Sequence, residues 1–168
     1  MLNIQNQNES FLFAAANECV HLLIQNNYRI TMAESCTGGM LAASIVSVPD
    51  ASKVFDASFV TYANEAKMKY LGVSEESIAV HGVVSEQVAG EMAQGCAKAN
   101  LAQIGVGISG IAGPAGGSEE KPVGTVAFGF FINGSLHTRL MHFPNRGRQF
   151  IRESATLFAL NTLCDFLK

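Results

Sequence analysis

The chain is poor in charge, in closely spaced cysteines and in long apolar runs, and each shortage removes a class of protein. Charged residues make up 15% of the 168 residues and the formal net charge is −3. An acidic balance of this kind, with a pI near 5.8, does not suit nucleic acid as the main partner. No run of about 18 apolar residues occurs, so no segment is expected to cross a membrane. The opening Met1-Leu-Asn-Ile-Gln-Asn-Gln-Asn8 has neither a basic nor an apolar region and does not read as a signal peptide. Cys19, Cys36, Cys96 and Cys164 lie far apart with no CxxC pair. They read as reduced, mostly buried thiols of a cytoplasmic protein rather than zinc ligands or disulfides. The histidines do not cluster either: His137 and His142 fall on opposite faces of one strand, and His21 and His81 stand elsewhere. No metal site is expected.

What is present suits a buried sheet. Hydrophobic residues make up 48% and there are 16 glycines, which fits one compact domain with a core large enough to need no staples. After a polar leader over residues 1–9, Ser10 can cap a helix whose Leu12, Ala16, Cys19 and Leu23 follow helical spacing. A strand is expected over residues 28–33, a helix over 40–48 stopped by Pro49, a second strand over 54–62, and a short helix over 64–71 closed by Gly72. Ser85 caps a further helix with Val88, Met92 and Cys96 on one face. Residues 104–109 read as a buried strand, and 123–132 and 136–143 as two strands joined through Asn133-Gly134, a hairpin signal. A last helix runs over 149–167 with Ile151, Ala155, Phe158 and Phe166 at core spacing. Interleaved helices and strands predict a single layered α/β domain with a mixed sheet flanked by helices.

Three segments carry candidate chemistry. In Thr31-Met-Ala-Glu-Ser-Cys-Thr-Gly-Gly39 an extended segment turns through small residues into a helix. A hydroxyl at Ser35 then stands beside free helix N–H groups that can hold an anion or a developing oxyanion. A plain strand-to-helix turn with Thr37 as N-cap explains the same residues. Tyr62 and Lys67 flank the next strand-to-helix turn. A lysine of lowered pKa can serve a serine as base, and a tyrosine can relay a proton. A solvated lysine paired with Glu65 or Glu91, and an edge-of-core tyrosine, are the plainer alternatives. The loop from Gly110 to Pro122 offers Gly110, Gly113, Gly116 and Gly117, whose backbone can approach a ligand closely.

Gly105-Val-Gly-Ile-Ser-Gly110 spells GxGxxG, yet its glycines sit inside a strand and a proline-bearing loop follows, so a dinucleotide site is not expected. Arg146, Arg148 and Arg152 gather at the start of the last helix, where a phosphate can bind or a basic turn can simply be solvated. Cys36 is the rival nucleophile. Strand alternation puts it opposite Ser35, and nothing else selects it.

The joint pattern is specific. Ala33-Glu-Ser-Cys-Thr-Gly-Gly39, Val60-Thr-Tyr-Ala-Asn-Glu-Ala-Lys67 with Leu71-Gly-Val73, His81-Gly-Val-Val-Ser85, Ser109-Gly-Ile-Ala-Gly-Pro114 and Lys121-Pro-Val-Gly-Thr125 occur in this order. With the arginine-rich helix start, they resemble the CinA carboxy-terminal domain family, the nicotinamide-nucleotide amidases. The resemblance covers nearly everything after about residue 10. It departs at Ser109, where threonine is more usual, and at Asp50-Ala51-Ser52, where Gly-Ser-Ser is more usual.

The resemblance implies hydrolysis of the carboxamide of nicotinamide mononucleotide to nicotinic acid mononucleotide and ammonia. It further implies Ser35 as nucleophile, Lys67 as general base, Tyr62 as proton-relay partner and the loop from Ser109 to Gly117 as nucleotide-binding. Backbone N–H groups near Thr37 and Gly38 are expected to hold the oxyanion, Gly39 to line the substrate site with them, and one or more of Arg146, Arg148 and Arg152 to hold the phosphate. No cofactor is implied. The partners expected are a small-molecule nucleotide and further copies of the chain, as a homodimer or larger homo-oligomer. Longer members carry an additional amino-terminal domain, so the length of this chain resembles the stand-alone amidase. A pyridine-nucleotide sensor without turnover is the second function class.

Overall fold

The computed structural model describes residues 2–168, with side chains described from residue 11 onward. In chain order the elements are α1 Leu2–Asn26, β1 Ile30–Glu34, α2 Met40–Val46, β2 Phe59–Val60, α3 Asn64–Leu71, α4 Glu75–His81, α5 Glu86–Asn100, β3 Ile104–Gly110, β4 Thr125–Ile132, β5 Ser135–His142 and α6 Arg148–Leu167. The strands form one sheet in the order β2-β1-β3-β4-β5. β1 runs parallel to β2 and β3, and β4 is antiparallel to both β3 and β5. The sheet is therefore mixed, as the sequence pattern predicts. Helices α1, α2 and α6 pack together over one face of the sheet, and α5 lies across the other with α3 and α4 against it. No helix among the described residues is long and apolar enough to cross a membrane.

The two faces bury differently. On the α1/α6 side, Phe128 and Phe130 of β4 are fully buried and meet Phe158 and Phe166 at ring-centroid distances of 4.7 and 5.8 Å. On the α5 side the sheet offers glycine instead. A Cβ on Gly105 would stand 2.1 Å from the Ala93 carbonyl oxygen, and one on Gly107 2.1 Å from that of Ala89. The first two glycines of the literal GxGxxG, Gly105 and Gly107, thus let the α5 backbone rest directly on β3, a packing role and not a phosphate-binding one.

The sequence reading and the structure part at three places. Helix α1 is already helical at Leu2, where a polar leader was expected, and the side chain of Ser10, read as its cap, lies outside the described residues. The strand expected over 54–62 shrinks to two residues. Its beginning keeps only an isolated bridge from Phe55 to Ile30, just after a 3-10 turn at Ala51–Lys53, and the Thr31 and Asn100 side chains both donate to the Ala57 carbonyl that a ladder would use. Helix α4 was not expected, although its start is local chemistry: the Ser74 hydroxyl accepts from the Ser77 N–H at 3.4 Å, with Glu75 and Glu76 in the first turn.

Candidate active site

Ser35 is the first residue past β1, and the sheet delivers it. Its N–H donates to the Ile108 carbonyl at 3.0 Å, continuing the β1–β3 ladder by one bond before the chain turns away. The turn is clamped on both sides. The Glu34 carboxylate, fully buried, accepts from the N–H groups of Gly39 at 3.0 Å, Leu41 at 3.1 Å and Ala42 at 2.9 Å. It therefore caps α2, whose N-cap residue is Gly39 rather than Thr37. Arg152 of α6 donates from Nε to the Cys36 carbonyl at 3.1 Å and from Nη2 to the Thr37 carbonyl at 2.8 Å.

The donors expected for an oxyanion shift in consequence. Gly38 N–H is committed to the Ser35 carbonyl at 3.1 Å and Gly39 N–H to Glu34. The N–H groups of Cys36 and Thr37 have no backbone or carboxylate acceptor among the described residues. The Thr37 hydroxyl is buried without a partner among them as well.

Lys67 arrives from the other side. Glu34 O accepts from Thr61 N–H at 2.9 Å, which ties the chain just before α3 to the end of β1. Lys67 follows in the second turn of α3 and is only 1% exposed. Its Nζ stands 3.2 Å from Ser35 Oγ, 2.8 Å from the Thr61 carbonyl and 3.3 Å from the Tyr62 carbonyl. Neither the Glu65 nor the Glu91 carboxylate, the expected alternatives, forms an ion pair with it. Burial lowers the Lys67 pKa from its ordinary value, against weaker opposing effects of Cys36 and Glu65. A neutral amine has two hydrogens and one lone pair. Two carbonyls can only accept, so the lone pair falls to the one neighbour that can also donate, the Ser35 hydroxyl.

These groups open on a cleft of about 250 Å³ whose far wall is the loop after β3. Cys36 lines the cleft too, although its side chain packs into the core on the α1/α6 side of the sheet, and burial pushes its thiol up to about 11. It is a poor thiolate there. Ser109, 1% exposed, lines the cleft while its hydroxyl donates to the Val83 carbonyl at 2.7 Å. Gly110 and Gly113 line it by backbone. The N–H groups of Ala112 and Gly113, both buried, have no acceptor among the described residues.

The remaining candidates are dispersed. The Tyr62 side chain is 62% exposed, and its hydroxyl accepts from Arg148 Nη2 at 3.0 Å instead of meeting Lys67 or Ser35. Arg148 also donates to the Gly113 carbonyl at 2.9 Å, bridging α6 to the loop at the cleft's rim. Arg152 is spent on the turn after Ser35. Arg146 is exposed, lies 5.3 Å over the Phe150 ring and does not line the cleft. A larger hollow, about 360 Å³, lies at the opposite end of β1 beside Tyr28, Arg29 and Val54, and it contains no nucleophile beside a base. The Glu34 cap was not anticipated, although a carboxylate just before small residues and a helix start is the signal of a charged cap.

Comparison with known proteins gives the same outline. The model of the CinA C-terminal domain matches residues 13–167. A CinA-like protein of Fervidobacterium nodosum is 47% identical over 143 residues, covering 84% of this chain and 35% of that protein. One of Kosmotoga olearia is 46% identical over 142 residues, covering 84% and 34%. The chain thus spans about a third of the length of these relatives. Among solved structures, a competence/damage-inducible protein of Agrobacterium tumefaciens superposes with a TM-score of 0.90 at 36% identity, covering 94% of this chain and 96% of that one. A CinA superfamily protein of Klebsiella pneumoniae gives 0.89 at 36% identity, covering 93% and 97%. The chain belongs to the CinA C-terminal domain family.

Proposed function

We propose that the protein is a serine amidohydrolase that converts nicotinamide mononucleotide to nicotinic acid mononucleotide and ammonia. The observation that carries this reading is the Lys67 amine, desolvated, held by two carbonyls and left with only Ser35 to receive a proton from. A lysine in that state is a general base, and a serine beside it is a nucleophile.

In this reaction Ser35 Oγ attacks the carboxamide carbon as its proton passes to Lys67 Nζ. The carbonyl oxygen becomes an oxyanion, which the N–H groups of Cys36 and Thr37, unclaimed by any carbonyl or carboxylate among the described residues, can receive. Lys67 returns the proton to the departing nitrogen, ammonia leaves, and the acyl group remains as an ester on Ser35. Water then attacks that ester with Lys67 again as base, and nicotinic acid mononucleotide departs. The nucleotide's phosphate needs positive charge away from Ser35, which Arg148 supplies at the rim. Further copies of the chain are proposed as partners in a homo-oligomer.

Ammonia release from nicotinamide mononucleotide by the pure protein is the decisive assay. Steady release that Ser35→Ala abolishes supports the reading. Tight binding without release replaces it with a nucleotide sensor.

A further inference from the structure

We propose that Glu34 is a positioning residue for the nucleophile, acting with Arg152 to aim the oxyanion donors; the inference rests on Ser35 being the nucleophile. Glu34 neighbours Ser35 in sequence, yet its carboxylate reaches across the turn to three N–H groups at residues 39, 41 and 42. Backbone and side chain together close a ring around Ser35, which holds the serine backbone in one conformation. The three N–H groups are those a helix start would otherwise offer to an anion. With them filled, the start of α2 cannot hold the substrate's oxyanion or its phosphate.

Arg152 completes the aim from the carbonyl side. A trans peptide points its C=O and N–H in opposite directions. The Cys36 carbonyl is held by Arg152 Nε, so the Thr37 N–H of the same peptide is turned away from Arg152. The Ser35 carbonyl is held by Gly38 N–H, so the Cys36 N–H points out of the turn. Arg152 thus turns the Thr37 N–H and the Gly38 backbone the Cys36 N–H, while Glu34 withdraws the N–H groups of residues 39, 41 and 42, so groups absent from the reacting bonds set which two donors remain.

The test separates positioning from simple support of the fold. Glu34→Gln places an NH₂ group against N–H donors and is expected to lower kcat by about 10²-fold, as a misplaced or lost oxyanion donor does, with KM within about threefold. A second readout needs no nucleotide: the rate at which a fluorophosphonate modifies Ser35, followed by intact mass, falls in parallel. A purely supportive Glu34 would lower Tm but leave kcat and the labelling rate of the folded protein unchanged, and that result overturns the proposal. If Glu34→Gln does not fold, Glu34→Asp retains both acceptor oxygens on a shorter stem. It is expected to show the same loss, and wild-type rates in it are equally fatal. Wild-type protein that labels at Ser35 but releases no ammonia sinks the proposed substrate only, and Glu34 is then judged on labelling. Wild-type protein that neither labels nor turns over removes the nucleophile and this inference with it.

Discussion

Lys67 Nζ and Ser35 Oγ stand 3.2 Å apart, and both residues are buried. Ser35 stands in the turn after β1 and Lys67 in the helix after its parallel neighbour β2, at the same end of the sheet. Ligand sites of open α/β sheets lie at this carboxyl end of the strands. The pairing is directional. Two carbonyls consume the amine's hydrogens, so proton flow between the two groups runs from Ser35 to Lys67 when the lysine is neutral.

Replacing Ser35 by Ala is expected to lower kcat by about 10⁴-fold or more, as loss of a nucleophile does in other hydrolases. Cys36→Ala is expected to stay within about tenfold of wild type, because its thiol is held protonated by burial up to about 11. Ammonia assays on the two variants decide between them. An active Ser35→Ala beside a dead Cys36→Ala reverses the assignment.

The lowered pKa of Lys67 fixes the sign of the pH dependence. As the proposed base, Lys67 must be neutral, so kcat/KM is expected to rise with pH through the pKa of Lys67 in the free enzyme and then level off. Lys67→Met, apolar and of similar length, removes that acid limb together with most of the activity. Stability follows the same group. Between the lowered folded pKa and the ordinary lysine value the unfolded chain binds the extra proton, so Lys67 makes stability rise with pH across that window. Denaturant midpoints of wild type and Lys67→Met over the same pH range check it: the difference in slope should vanish in the variant.

Much of this was legible in the sequence because it is local. The Asn64–Leu71 helix and its Gly72 cap, the Ser85 cap of α5 and the Asn133-Gly134 hairpin all follow from neighbouring residues. What failed to read was set at long range. The shortness of β2 depends on Thr31 and Asn100 taking one carbonyl. Lys67 was named as a candidate base, yet a solvated helix charge explained it equally well from the sequence, and only the packing of α3 beside β1 buries it. Arg146, Arg148 and Arg152 read as one cluster, yet Arg146, before α6, meets a ring, while the helix turns Arg148 toward the cleft and Arg152 toward a backbone turn. Tyr62 was named for its hydroxyl, and it is its carbonyl that touches the lysine.

Gly107→Ala tests the packing account of the glycine pattern. The added methyl would stand 2.1 Å from the Ala89 carbonyl oxygen, which is backbone and cannot swing aside. Forcing α5 off the sheet is expected to cost about 1–3 kcal/mol, the usual range for overpacking. Thermal melts measure it. A variant as stable as wild type, but weakened in nucleotide binding, would return the motif to a ligand role.

The last prediction concerns Arg148 and Tyr62. Arg148 has five N–H groups, of which one reaches Gly113 O and one Tyr62 Oη, so donors remain for an anion in the cleft. A phosphate held there is remote from the carboxamide and is bound alike in ground and transition states, so its loss falls on KM. Arg148→Ala is expected to raise KM for nicotinamide mononucleotide by about 10- to 100-fold, the equivalent of a charge-assisted hydrogen bond, with little change in kcat. Tyr62→Phe separates two roles for the phenol. If the hydroxyl only steadies Arg148, kcat stays near wild type and KM rises modestly. A kcat loss of about 10²-fold or more would instead mark a proton-relay role, reached by a movement of Tyr62 toward Lys67 when substrate binds. Should both variants keep wild-type KM, the phosphate is held by the backbone N–H groups of Ala112 and Gly113, which line the same cleft.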